Sequence, residues 1–243
     1  MLKSIKLLLT AVIVLTGCDT DHDEMTPTPG QSCHEISSSF AGNGLFSVSE
    51  SKQVRFALGN VIAESYDFAN HQYDYGSYLG WDTTSSNTPT SDNTLPTFGS
   101  WEKHIAGGWR TLSSDEWKYL LWKRKGYDRL RGAATVCGVH GMVILPDNWQ
   151  GDSISPTFDG WNTNVYDDTS WTQLENAGAI FLPAAGYYYH AEANYTEISG
   201  YYWAPESNGD RTFYIFFFKN GIGNGDYYGK DFGHSVRMVL DVL

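Results

Sequence analysis

The stretch WRTLSSDEWKYLLW, residues 109–122, contains the clearest element of secondary structure in this sequence. Ser113 is placed to cap the amino terminus of a helix, and Glu116, three residues later, can complete a capping box. Apolar residues then share one helix face at the spacing i, i+3, i+4, namely Trp117, Leu120 and Leu121. We therefore expect a short helix that packs this face on a sheet.

Strand and turn signals dominate the rest of the chain. Strands are predicted at residues 46–49, 53–60, 139–145, 179–182 and 235–240. A second short helix should begin after Asp168 or Thr169 and end before Gly178. Residues 66–98 read as a long irregular excursion, which in a compact domain is usually functional or mobile. Together these patterns predict an α+β domain with an antiparallel sheet.

Composition and charge limit the possible partners. The 243-residue chain is 41% hydrophobic and 18% charged, a profile typical of a folded protein and not of a disordered one. Its formal net charge is −12 without long acidic blocks. Because nucleic-acid binders need a basic surface, no nucleic acid is expected as a partner.

The amino terminus has the pattern of a bacterial lipoprotein signal peptide. Lys3 and Lys6 precede an apolar run at residues 7–15 that is too short to span a bilayer as a helix. The following LTGC, residues 15–18, resembles a lipobox, which implies removal of residues 1–17 and attachment of acyl chains such as palmitate at Cys18. We expect a lipid anchor at Cys18. An ordinary secretory peptide with an incidental cysteine is the alternative.

Residues 18–39 are predicted to be an acidic, Pro/Ser-containing tether. The acidic residues come first: Asp19, Asp21, Asp23 and Glu24. This run resembles the export signal that sends lipoproteins of some diderm bacteria to the outside of the outer membrane. Pro27, Pro29 and the serines at 37–39 have linker composition. We therefore expect a folded domain at residues 40–243 that is displayed on the cell outer membrane.

Two cysteines besides Cys18 remain in the chain, Cys33 and Cys137. An exported location permits a disulfide between them, and a free Cys137 is the alternative. No CxxC or Cys/His cluster suggests zinc, and no metal or other cofactor is expected.

Five motifs in a fixed order narrow the fold class. They lie at residues 109–120, 144–149, 181–186, 200–203 and 233–237. This series resembles the Fibrobacter succinogenes major paralogous domain family, and the resemblance covers residues 40–243. The family is similar to the formylglycine-generating-enzyme branch of the C-type lectin fold. The resemblance therefore implies a C-type lectin-like fold with antiparallel strands, two short helices and long loops.

The same resemblance gives no support for catalysis. Formylglycine-generating enzymes rely on a cysteine pair near the carboxyl terminus, whereas here no cysteine follows Cys137. The sequence also lacks the GxSxG and HExxH motifs of hydrolases and metalloproteases. We expect no enzymatic activity. Paired carboxylates for glycoside cleavage are the alternative, with candidates Asp147, Asp159, Asp167, Asp168, Glu175, Glu192, Glu197 and Glu206.

The strand RTFYIFFFKNG, residues 211–221, is apolar or aromatic on both faces. With period two, Phe213, Ile215 and Phe217 share the face that should fill a core. The opposite face carries Tyr214, Phe216 and Phe218. In the variable proteins of diversity-generating retroelements, which use related lectin-fold domains, this segment is the ligand surface. The resemblance implies a contact surface here. The alternative is that residues 66–98 fold over these rings and make a second small core.

The expected function is that of an adhesin-like or receptor-like module that binds an extracellular protein or glycan. The predicted ligand-binding residues are Asn208, Asp210, Arg211, Tyr214, Phe216, Phe218, Asn220, Asn224, Asp226, Tyr227, Tyr228, Lys230 and Asp231. Their Tyr, Asn and Asp content is typical of a paratope on a rigid scaffold. Alternatives are a carbohydrate-active enzyme or accessory subunit, and a structural component of a surface filament.

Overall fold

The described part of the chain contains strands in five sheets, two helices and the loops that join them. The computed structural model describes residues 42–81, 105, 107–150, 154–208, 211–223, 227–229 and 232–242. At residues 211 and 227–229 this description covers the backbone alone. The predicted signal peptide, the tether and Cys18 lie outside these ranges. Neither helix in the described ranges has the length and apolar character that a bilayer span requires.

The strands, in chain order, are β1 (Phe46–Ser47), β2 (Gln53–Phe56), β3 (Val61–Ile62), β4 (Asp67–Phe68), β5 (Leu79–Gly80), β6 (Arg110–Thr111), β7 (Arg131–Val136), β8 (Val139–Ile144), β9 (Val165–Tyr166), β10 (Ile180–Pro183), β11 (Tyr187–Tyr189), β12 (Glu192–Asn194), β13 (Ser199–Asn208), β14 (Arg211–Phe218), β15 (Gly221–Gly223), β16 (Tyr227–Gly229), β17 (Gly233–His234) and β18 (Met238–Asp241). The helices are α1 (Ser114–Trp122) and α2 (Asp168–Asn176), and a 3-10 turn lies at Tyr127–Arg129.

The sheets bring the two ends of the described chain together. One sheet has the order β1-β2-β18-β6, so the first strands pair with the last. The others are β10-β8-β7-β9, β12-β11-β17-β5, β13-β14-β15 with β16 also on β14, and the pair β3-β4. Every described strand pairing is antiparallel except that of β7 with β9. The predicted α+β class with antiparallel sheets is confirmed.

Both predicted helices are present. Ser113 Oγ accepts a hydrogen bond from Glu116 N (3.1 Å), and Glu116 Oε2 accepts one from Ser113 N (2.9 Å), which completes the predicted capping box of α1. The buried face of α1 packs on the β13–β14 hairpin. Helix α2 begins earlier than predicted because Asp167, and not a later residue, caps it through Ser170 N at 2.8 Å. Gly178, with φ +96°, follows its carboxyl end as predicted.

The predicted closing strand at 235–240 is partly wrong. Strand β17 ends at His234, and β18 begins at Met238 in a different sheet. Residues 235–237 between them belong to neither strand, and Ser235 makes an isolated parallel bridge with Tyr202. The conformation of this segment places the Arg237 side chain in the interior. There its guanidinium donates hydrogen bonds to the carbonyl oxygens of Leu58 (2.9 Å) and Phe181 (2.9 Å). Arg237 thereby ties three distant parts of the chain together.

Three clusters of buried apolar side chains form the core. The largest lies between α1 and one face of the β13–β14 hairpin and includes Ile215 and Phe217. The second lies on the opposite face of the same hairpin and includes Trp203 and Tyr214. The third lies between α2 and the sheet of β7, β8 and β10. The hairpin is therefore covered on both faces over part of its length.

Candidate ligand-binding surface

The second face of β14 changes from buried to exposed along the strand. Tyr214 is 2% exposed, Phe216 is half-buried and Phe218 is 39% exposed. The prediction that Tyr214 lies on an outward contact surface is therefore wrong. On the opposite face, Ile215 and Phe217 are buried, as predicted. The open part of the second face is the part near the carboxyl end of β14.

Two residues of the excursion at 66–98 help to form the buried cluster that contains Tyr214. Leu79 and Trp81 belong to the same buried cluster as Tyr214 and Trp203. Trp203 Nε1 donates to Leu79 O at 2.6 Å, and the rings of Trp81 and Trp203 meet edge to face at 5.4 Å. The described part of the excursion, residues 66–81, thus contributes to a second small core at this end of the strand, as the alternative predicted, and residues 82–98 lie outside the described ranges. This core does not extend to Phe218.

Beyond this core, partly exposed rings from five segments touch one another. We call them the aromatic band: Tyr187, Tyr189, Tyr195, Tyr201, Phe216, Phe218 and Phe232. Tyr201 lies opposite Phe216 in the register of β13 and β14, and their rings stack at 5.7 Å. Phe216 stacks on Phe218 at 6.2 Å. These contacts form one arm of the band, which ends at the exposed ring of Phe218.

The other arm comes from β11 and the turn after β12. Tyr187 meets Tyr201 edge to face at 5.1 Å and stacks on Tyr195 at 5.7 Å. Phe232 contacts Tyr187 at 5.5 Å and lies parallel to Tyr189 at 4.3 Å. The band is therefore continuous, and its most exposed ring is Tyr195, at 55%.

A buried histidine lies beneath the band. His234 in β17 is fully buried, and its ring lies 4.0 Å from that of Trp203 and 5.3 Å from that of Tyr201. Burial lowers the pKa of His234 to about 3, so the imidazole is neutral in the folded protein at ordinary pH. A neutral ring can pack among aromatic rings without the cost of a buried charge.

A glycine sets the position of the Phe216 ring. Gly223 in β15 lies opposite Phe216 in the strand register. A Cβ atom at Gly223 would overlap the Phe216 ring, whereas one at Gly221 would meet no atom within 4 Å. The ring of Phe216 therefore lies over the backbone of β15, which is possible only without a side chain at Gly223.

Tyr195 is held by a strained turn. Tyr195 and Glu197 have φ of +58° and +62°, a region that residues other than glycine seldom adopt. The Glu197 carboxylate accepts hydrogen bonds from His140 N at 2.8 Å and from the Tyr75 hydroxyl. Burial raises the pKa of Glu197 and outweighs the opposing hydrogen bond from His140. The surrounding structure thus fixes a backbone conformation that costs of order 1–3 kcal/mol at each such residue.

The predicted binding residues fall into separate groups. Asn220 is exposed close to Phe218, whereas the exposed Asn208 pairs with Arg211 at the other end of the β13–β14 hairpin, roughly 23 Å away by strand length. The backbone at Tyr227 and Tyr228 pairs with this distant end of β14. The remaining predicted residues lie outside the described ranges: Asp210, Asn224, Asp226, Lys230 and Asp231.

Five residues of the band were absent from the predicted set, namely Tyr187, Tyr189, Tyr195, Tyr201 and Phe232. The sequence does carry a signal for some of them, because YYY at 187–189 places Tyr187 and Tyr189 on one strand face by period two. Their contact with β14 depends on strand order, which local sequence does not specify.

Several carboxylates that could serve in glycoside cleavage take part in the fold. Glu175 is buried and accepts from Gln72 Nε2 at 2.8 Å. Burial raises the pKa of Glu175, and the hydrogen bond from Gln72 opposes this shift. Glu206 accepts from Ser114 N at the start of α1 at 3.0 Å.

The state of Cys137 was left open between a disulfide and a free thiol. Cys137 is disulfide-bonded, so the alternative of a free Cys137 is wrong. Both other cysteines of the chain lie outside the described residues.

No family model, curated protein or solved structure matches this chain. The resemblance derived from the five motifs therefore stays a prediction.

Proposed function

We propose that this protein is a non-catalytic recognition module that holds an extracellular protein or glycan on the aromatic band. It would be anchored in the outer membrane through lipid at Cys18 and displayed on the cell surface by the tether at 18–39. We further propose a C-type lectin-like fold for residues 40–243. The pairing of the first strands with the last, and the two short helices beside antiparallel sheets, support that finer assignment.

The observation that carries the proposal is the continuity of the aromatic band. Seven rings from separate segments contact one another and remain partly exposed. Leaving a large apolar side chain in water forgoes roughly 1.5–3 kcal/mol relative to burial. A contiguous apolar patch of this kind on a protein surface typically marks an interaction site.

The way the rings are held also favours recognition. Tyrosine supplies large contact area at low cost in conformational entropy, as in antibody paratopes. Here the buried His234 and the turn at Glu197 fix the rings before any ligand arrives. A rigid surface loses less entropy on binding, which leaves more of the contact energy as affinity.

The test compares ligand capture by the wild-type protein and by the double variant Tyr195→Ala/Phe218→Ala. Both substitutions remove exposed rings at the ends of the band, so folding should be retained. Val165→Ala removes a side chain that is 60% exposed on β9, outside the band, and is the matched control. Glycan arrays and cell-surface protein preparations should each be probed with all three proteins.

We expect a set of glycans or a defined protein that binds wild type and Val165→Ala and is lost with the double variant. Ligands retained by the double variant would contradict the proposed role of the band. Diversification by a retroelement is a narrower version of the proposal. It requires a reverse transcriptase gene and a near-copy of the 3′ coding segment nearby, and their absence would exclude it while leaving binding by a fixed surface intact.

A further inference from the structure

A pocket of about 490 Å³ opens on a part of the molecule distinct from the aromatic band. Its walls come from the carboxyl half of α1, the segment that follows α1, the start of β2 and the turn after β8. None of the residues that line it belongs to the band. Its volume lies within the 300–1,000 Å³ that is typical of small-molecule sites.

The wall of the pocket contains a buried ion pair. Arg124, 1% exposed, donates from Nη1 to Asp147 Oδ1 at 3.0 Å and from Nη2 to Leu145 O at 2.9 Å. Asp147 Oδ2 accepts from Ser47 N at 2.6 Å and from Gln53 Nε2 at 3.0 Å. Both side chains are thus fixed before a ligand binds. The Nε atom of Arg124 is buried and has no hydrogen-bond partner in the described structure.

Two further cations line the same pocket. Lys125 and Arg129 are exposed, and neither forms an ion pair with any residue that the structure describes. The charged residues of the lining are Arg124, Lys125, Arg129 and Asp147. Three positive charges and one negative charge give the pocket a local net charge of +2. The whole chain carries −12. A local positive charge in a strongly acidic protein attracts and orients anions.

The remaining lining includes the polar residues Ser47, Gln53 and Ser155, and an apolar and aromatic surface formed by Leu130, Trp149, Ile154 and Tyr119. Such a surface favours a ligand with an apolar or ring-shaped body, and the cations favour an oxyanion attached to it. We propose that this pocket binds a small anionic molecule in which a carboxylate or phosphate is attached to an apolar or aromatic body. Lys125 and Arg129 pair with the oxyanion, and the apolar body lies against Leu130 and Trp149.

This assignment differs from the function proposed for the band in both location and chemistry. The band consists of Tyr and Phe rings and has no positively charged member. The pocket contains the positive charges of Lys125 and Arg129 beside the fixed Arg124–Asp147 ion pair. The two sites can therefore be tested separately. We expect that loss of binding at one site will leave binding at the other unchanged.

The experiment measures binding of phenyl phosphate, benzoate, inorganic phosphate and uncharged phenol to the purified full-length protein by calorimetry at low salt. The variants are Lys125→Gln, Arg129→Gln and the double substitution. Because both side chains are exposed, these changes should leave folding intact. Lys219→Gln removes one exposed positive charge outside the pocket and is the control.

We expect saturable binding of phenyl phosphate or benzoate, or of both, and at least about tenfold weaker binding by the double variant, equivalent to about 1.4 kcal/mol. The single variants should each lose a few-fold, and Lys219→Gln should match wild type. Binding of phenyl phosphate alone would assign the site to phosphate esters, and binding of benzoate alone would assign it to carboxylates.

Three results would overturn the proposal. The first is no saturable binding of either anion. The second is an equal loss with Lys219→Gln, which would show a nonspecific effect of net charge. The third is equal affinity for phenyl phosphate and inorganic phosphate, or for benzoate and phenol, since either would remove the role given to one part of the ligand.

Discussion

Tyr201 and Phe216 lie directly opposite each other on β13 and β14, with ring centroids 5.7 Å apart and ring planes 19° apart. Cross-strand aromatic pairs of this kind contribute roughly 0.2–1 kcal/mol to sheet stability. The same pair also joins the arm of the band that ends at Phe218 to the arm that ends at Tyr195. One contact thus stabilises the hairpin and makes the binding surface continuous.

The two ends of the aromatic face of β14 should respond differently to truncation. Tyr214→Ala removes a ring that is 2% exposed and should reduce the free energy of unfolding by about 3–5 kcal/mol, as for other large buried aromatic side chains. Phe218→Ala removes a ring that is 39% exposed and should change it by less than about 1 kcal/mol. Urea unfolding of both variants measures this difference. Equal losses would mean that Phe218 is buried in solution.

Gly223→Ala should displace the Phe216 ring and weaken ligand binding by several-fold. The added methyl group occupies the space of that ring, so the ring must rotate or the strand must shift. Gly221→Ala, two residues earlier in the same strand, adds its methyl group where no atom lies within 4 Å and is the matched control. The aromatic region of the NMR spectrum reports the ring position. Identical spectra for both variants would exclude this role of Gly223.

Stability should fall as the pH drops below the ordinary histidine pKa of about 6.5. The unfolded chain takes up a proton at His234 there, whereas burial holds the folded pKa near 3, so the unfolded state binds more protons between these values. The expected loss is about 1–3 kcal/mol between about pH 6.5 and 4.5, measured by chemical denaturation.

The control for this pH dependence is a second histidine. His234→Gln should flatten the slope of stability against pH in that window, whereas His190→Gln, which removes an exposed side chain, should keep the wild-type slope. A wild-type slope in His234→Gln would place the titration elsewhere.

Glu197→Ala should loosen the turn that holds Tyr195. Without the carboxylate, the backbone N–H of His140 and the hydroxyl of Tyr75 lose their acceptor, and the positive φ at Glu197 is no longer compensated. Amide hydrogen exchange at residues 195–199 should become faster and ligand binding weaker. Glu192→Ala, which removes an exposed carboxylate from β12, should change neither.

Local patterns predicted the parts of the fold that depend on near neighbours. The capping box of Ser113 and Glu116 and the core positions of Ile215 and Phe217 follow from spacing along the chain. The burial of Tyr214 does not, because the cluster that encloses it includes Leu79 and Trp81, far away in sequence. The predicted start of helix α2 was late by one or two residues, because several adjacent polar residues could serve as its amino-terminal cap.

The candidate site was predicted only at its β14 edge, because the rest of it comes from segments that are distant in sequence. Period two placed Phe216 and Phe218 on the correct face of β14. The contribution of Tyr187 and Phe232 depends on the order β12-β11-β17-β5 and on how that sheet lies beside the hairpin. Such order is set by packing between distant segments and has no signature within either segment.

Hydroxyl-radical footprinting of the protein with and without its captured ligand tests the role of the aromatic band most directly. Tyr195 is 55% exposed within the band, and Tyr66 is 50% exposed outside it, so the two rings start from similar accessibility. We predict that the ligand slows oxidation of Tyr195 and Phe218 and leaves Tyr66 unchanged. Unchanged oxidation of Tyr195 and Phe218 at saturating ligand would contradict the assignment of the band as the binding surface.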